Sequence, residues 1–203
     1  LVGRMVRVFY APAETFEAVQ QRHSYLDWLV PVLLVALVGA GTQYMTMPIL
    51  QKMQAKAVAE MAAKQDMTPE QAANQRQVME KMSGVTNVVT LVMVPVMTFI
   101  MLFIFAGVLL LVGRFALGGE LTYGQMLALE AYAMLITVPQ NIVLTPIRQA
   151  RESMMVTLGP GLLLGQDMLE TYVGRVINGI DIFMIWQVVV IGIGLSILAR
   201  AGL

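Results

Sequence analysis

The sequence predicts an all-α fold: a polytopic integral membrane helical bundle with four clear transmembrane helices. A short re-entrant or fifth span and a water-exposed helical hairpin complete it. Three observations predict this. The chain of 203 residues is 58% hydrophobic and only 13% charged, with a mean hydropathy of +0.72, whereas soluble domains run nearer a quarter charged. Four stretches supply the ~20 predominantly apolar residues that an α-helix needs to cross hydrocarbon. These are 29–50 and 82–113, without charge, 121–147, with only Glu130, and 176–199, with only Asp181. Residues 51–81 are polar yet rich in Ala, Met, Gln, Lys and Glu, strong helix formers that keep the chain helical after it leaves the bilayer.

The chain reads as one membrane domain over 1–203. Within the N-terminal segment, 1–27, Arg4, Arg7, Glu14, Glu17 and Arg22 interrupt any apolar run. No cleavable signal peptide is visible there, so the first span would act as an uncleaved signal anchor. Pro12 stands where a helix can start, and Phe16, Val19 and Leu26 follow at approximately helical spacing. The expectation is a short amphipathic helix at the interface, with Tyr25 and Trp28 in the aromatic belt. The alternative is a helix packed on the protein's own loops.

The first span, 29–50, is expected to continue as helix to about residue 63. "DMTPEQAANQ" then restarts one, with Thr68 as N-cap, Pro69 at the first position and Gln71 at the third, close to a capping box. Residues 51–81 therefore form a helical hairpin in water. Its methionines, Met53, Met61, Met67, Met79 and Met82, are expected to pack between the two arms, the alternative being a partner's surface. The second span, 82–113, is long enough for a tilted helix plus an interfacial turn. In the third, 121–147, Pro139 loosens the backbone just before Gln140 and Asn141 and favours a kink.

Residues 153–173 open on "SMMVTLGPGLLLG", apolar but short and interrupted by Gly159-Pro160-Gly161. A re-entrant or interfacial piece is favoured over a weak fifth span. The last span is 176–199. Counting Lys and Arg on either side does not fix orientation, because the balance changes with the presence of that fifth span.

The chemistry is mostly excluded. Thirteen basic and thirteen acidic residues cancel, so no nucleic acid partner is expected. There is no cysteine and a single histidine, His23, which removes thiolate and multi-histidine metal sites. No metalloprotease helix, serine elbow or phosphate loop is present; "GPGLLLG" lacks the Lys-Ser/Thr that a P-loop needs. No catalytic residue, cofactor or metal is expected. Pairs of small residues, Gly161/Gly165, Gly192/Ser196 and Ala36/Ala40, suit close helix packing.

Ionisable residues inside a membrane are costly and mark candidate sites. Here they are Glu130 and Asp181, with Gln140, Asn141 and Gln187 as polar company. Both carboxylates lie toward span ends, where water and headgroups would reach them. Asp181 follows Asn178-Gly179 in the first turn of the last span, where free N–H groups favour a carboxylate. It is expected to cap that helix, pair with Arg175 or a loop arginine, and fix the helix's depth and rotation. Asp181, Val188, Gly192 and Ser196 share one approximate face, expected to meet protein rather than lipid.

Asp181-x-Phe183-x-x-Trp186, followed by Gly192-x-Gly194-Leu195, resembles the last-helix signature of bacterial members of the Yip domain family, named for Ypt/Rab-interacting proteins. "FYAPAETFEAV" is similar to the family's aromatic–Pro–x–x–x–Phe opening (Phe9, Pro12, Phe16). Trp28 and Pro31 open the first span, and Gly118, Gly119, Tyr132 and Pro139 lead through the third. The similarity covers most of the chain in order, except the 51–81 hairpin. It implies an all-helical membrane domain, commonly of five spans, and protein partners. The GTPase-linked trafficking role of eukaryotic relatives does not carry over to a bacterium.

The resulting expectation is a non-enzymatic scaffold or accessory subunit in a bacterial inner membrane. Its partners would be the lipid bilayer and other membrane proteins or a second copy. The alternative is a small transporter or channel using Glu130 and Asp181.

Overall fold

The computed structural model describes residues 1–64, 69–154, 156–165, 168 and 171–200. Among them, the helices in chain order are α1 (Val2–Arg7), α2 (Pro12–Gln21), α3 (Leu26–Lys64), α4 (Pro69–Leu117), α5 (Tyr123–Met134) and α6 (Thr137–Ala150). A 3-10 turn at Pro160–Leu163, α7 (Tyr172–Gly179) and α8 (Ile182–Arg200) follow. Four stretches are long and apolar enough to cross a membrane: Leu26–Met61, Thr86–Leu117, Tyr123–Arg151 and Ile182–Ala199. The chain is a multi-pass helical membrane protein.

Helix α5 forms the centre. Every residue from Met126 to Ala133 is buried, as expected of a helix that is apolar nearly all round and so has no face to give to solvent. Helices α2, α3, α4 and α8 pack against it. Around this core, α3 and α4 run as rods of 39 and 49 residues, about 58 and 73 Å at 1.5 Å per residue. That is roughly twice the ~30 Å of hydrocarbon. The two arms of the hairpin are thus the outer halves of α3 and α4. The turn between them, including the expected cap at Thr68, lies outside the described residues.

One end of the bundle gathers α2, the end of α4, the start of α5 and the end of α8. Gly118 ends α4 with φ of +68°, a backbone region open to glycine without cost. Gly119 then passes so close to α8 that an added Cβ would lie 2.8 Å from Ala199 Cα. Arg114 donates from Nε and Nη2 to the Leu121 carbonyl at 3.1 and 2.7 Å, tying the turn down. At the other end, Lys52 of α3 pairs with Glu152 beyond α6, and Gln149 donates to the Met45 carbonyl at 2.9 Å.

Several expectations are refined or corrected. The third span stands, as Tyr123–Arg151, and carries the expected kink as a break at Leu135–Ile136, one turn before Pro139. Pro139 has no N–H for the Leu135 carbonyl, and Val138 donates there instead at 2.9 Å, a tighter turn that breaks the rod. The last span does not run from 176: α7 ends at Gly179, Ile180 is extended, and α8 starts at Ile182. Residues 153–173 supply no spanning helix among the described residues. The 3-10 turn and the tight loop around Gly159 occupy that stretch, so Gly161 and Gly165 are not a helix-packing pair.

The N-terminal helix also departs from expectation. Pro12 does start α2, but Thr15, Phe16 and Val19 are fully buried because that face lies on α8 and α5. It does not lie in lipid, nor on loops, and Leu26 belongs to α3. Tyr25 is exposed, whereas Trp28 packs edge-on against Phe103 with ring centroids 5.9 Å apart. In the hairpin, Val58 takes the inward position, while Met53 and Met61 face outward rather than between the arms. Met67 and the side chains of Met79 and Met82 lie outside the described ones.

Candidate functional site

Two carboxylates organise the polar groups of the bundle. Asp181 stands immediately before α8, where the chain leaves the extended Ile180. Its Oδ1 accepts from the Met184 N–H at 2.7 Å, the side-chain-to-third-residue bond of an N-cap. Oδ2 accepts from Gln140 Nε2 of α6 at 2.6 Å. The Ile182 N–H donates to the Leu158 carbonyl at 3.1 Å. Gly159 lies so near that a Cβ there would meet the Ile180 oxygen at 2.0 Å. The glycine-proline-glycine stretch therefore serves close approach of two backbones.

Asp181 is buried, and both oxygens are occupied by donors from the protein. Among the described residues it makes no ion pair, so the expected pairing with Arg175 is replaced by the Gln140 amide. Neighbouring Asn141 contributes its carbonyl, which accepts from Thr145 at 2.6 Å. No hydrogen bond joins Asn141 to either carboxylate among the described residues.

Glu130 is elsewhere. It is 4% exposed in the middle of α5, not open to water or headgroups as its position near a span end suggested. Tyr123, Leu127 and Glu130 recur at helical spacing on one face, and the Tyr123 hydroxyl donates to the Phe103 carbonyl of α4 at 2.9 Å. Among the described residues no hydrogen bond links Glu130 to Asp181, Gln140 or Asn141. The four candidate intramembrane polar residues resolve into one joined pair, Gln140 with Asp181, and two that stand apart.

The second carboxylate, Asp27, escaped the sequence reading. It lies in the first turn of α3, buried, and reaches back to the Ser24 N–H at 2.8 Å, the reciprocal half of a capping box. Arg4 of α1 donates to Oδ1 at 2.9 Å and to the Arg22 carbonyl at 3.0 Å. The Tyr132 hydroxyl of α5 donates to the same Oδ1 at 2.7 Å. One aspartate thus ties α1, α3 and α5 together. Ser24-x-x-Asp27 before an apolar run was the signal that would have found it; Arg4 and Tyr132, distant in sequence, leave no local trace.

The remaining residues singled out in the sequence divide by face. Phe16 packs edge-on against Tyr132 at 6.5 Å, and Gly194 leaves room for Phe16 and Leu129 of α5. Phe183 is partly buried against the core, while Trp186 is exposed. Gly192 meets nothing within 4 Å and Val188 is exposed. Of the expected protein-facing stripe of Asp181, Val188, Gly192 and Ser196, Asp181 is buried and Ser196 half-buried, but Val188 and Gly192 face away: α8 turns Val190, Gly194, Leu195 and Leu198 inward instead.

Chemically the arrangement clasps helices. The Asp27 carboxylate accepts from three separate stretches of chain and that of Asp181 from two, which fills their lone pairs. Among the described residues no group of three His, Cys, Asp or Glu side chains stands where it could hold a metal ion. A family model for the Yip1 domain matches residues 6–202. No curated protein and no solved structure matches the chain.

Proposed function

Because the chain belongs to the Yip1 domain family, we propose that it works as a non-enzymatic scaffold or accessory subunit of a membrane protein complex, in a bacterial inner membrane. The hairpin is the observation that carries this reading. Its arms continue the first two membrane helices without a break, so anything bound outside the bilayer is coupled to the bundle through continuous helix. Met53, Met61 and Val78 are exposed on those arms, an apolar and adaptable surface suited to a protein partner.

The carboxylates favour this over a small transporter or channel. Asp181 and Asp27 are occupied as helix clasps, and Glu130 has no hydrogen-bonded connection to Asp181 among the described residues. A coupled transport path would have such groups face one another in a shared cavity.

Purification in a mild detergent followed by native mass spectrometry tests the proposal. The expected result is a defined homo-oligomer or a stoichiometric membrane protein partner. A monodisperse lone monomer from native expression would contradict it.

A further inference from the structure

Helix α7 is built the wrong way round for a protein in water. Thr171 caps it, accepting from the Gly174 N–H at 3.0 Å, and the extended Ile180 ends it. Projected down the axis, Tyr172, Val173 and Val176 fall on one arc, and the extended Ile180 that follows is exposed with them. That arc points outward: the four residues are 83, 63, 51 and 41% exposed. The side toward the protein holds Gly174, which is buried, and the helix packs on the 3-10 turn. An amphipathic helix in water buries its apolar stripe; this one presents it.

We propose that α7 lies in the membrane interface, with this stripe immersed in the acyl-headgroup boundary of the bilayer. Depth supports lipid as the occupant. α8 has 19 residues, about 28 Å of helix, so it uses the full ~30 Å of hydrocarbon and places Asp181 at the boundary. α7 ends two residues before Asp181. Sequence continuity supports it as well: two residues past Ile180 the chain enters α8, where Ile182, Ile185 and Val189 are exposed residues of a membrane-spanning helix. A helix of this kind, apolar toward lipid and tightly turned into a span, sets the depth of that span. It begins where the stretch expected to be re-entrant or a fifth span, 153–173, ends, sharing only Tyr172 and Val173 with it.

The chain contains no cysteine, so single sites can be labelled directly. An environment-sensitive fluorophore is attached to Val173→Cys or Val176→Cys of the full chain, reconstituted in phosphatidylcholine vesicles carrying brominated acyl chains. Ile185→Cys serves as the lipid reference and Lys56→Cys as the water reference. The expected result is quenching by bromolipid at 173 and 176 comparable to that at 185, with little at 56. Iodide quenching at 173 and 176 equal to that at 56 would overturn the proposal by placing α7 in water. Protection from both quenchers would overturn it equally, since protein would then cover the stripe.

Discussion

Gly192 and Gly194 sit in one helix and should respond oppositely to substitution. A Cβ at Gly194 would lie 2.3 Å from Leu129 Cδ1 and 2.7 Å from Phe16 Cε2, so Gly194→Ala forces a tight core apart at a cost of about 1–3 kcal/mol. Gly192→Ala meets open space and gains about 1 kcal/mol of helix propensity. Thermal unfolding in detergent checks both: the midpoint falls for the first and holds or rises for the second. Asp27→Ala leaves the Arg4 guanidinium and the Tyr132 hydroxyl without their shared acceptor and should cost about 3 kcal/mol. Asp181→Ala removes an N-cap worth about 1 kcal/mol and should lower the midpoint less. The caps themselves were legible, because a cap is local: Ser24-x-x-Asp27 and the Asn-Gly-x-Asp before the last span are read within a few residues. Their other partners were not. Gln140 lies 41 positions from Asp181 and Tyr132 lies 105 from Asp27, distances over which no periodicity speaks.

At the scale of elements, hydropathy identified the spans and could not orient them. α8 is apolar around its whole circumference, so nothing in its pattern separates the lipid face from the protein face. Projection from Asp181 puts Val188, Gly192 and Ser196 on the protein side, where the packing uses Gly194 instead. The break before Pro139 was legible from the missing N–H. The break at Ile180 was legible only in part: Asn178-Gly179 and Asp181 mark a helix start there, but hydropathy alone carries the span back to 176. α2 is the element whose placement matters most for the bundle. Its Phe16 is fully buried against Tyr132 and α8, and Gln20 donates to the Ile197 carbonyl at 3.0 Å. Phe16→Ala should cost about 3 kcal/mol and loosen α2 before the spans unfold. Limited proteolysis in detergent reads this as faster cleavage at Arg22, with the fragment from α3 onward left intact at first.

At the scale of the molecule, the chain combines a clasped bundle with two helices that outrun the bilayer. The buried aspartates hold α1, α3 and α5 at one end and α6 and α8 at the other, so the rods α3 and α4 project from a fixed base. The exposed methionines of those rods give the assembly its proposed contact surface, and the account stands or falls on whether protein meets them. Site-specific photo-crosslinking in intact membranes measures this directly. A photoreactive residue is placed at Met53 or Met61 on the hairpin, with Leu37, an exposed residue of the α3 span, as the lipid-facing reference. A discrete crosslinked protein, either a second copy or one defined partner, is expected from the hairpin positions and none from Leu37. Hairpin positions that give no protein crosslink would contradict it.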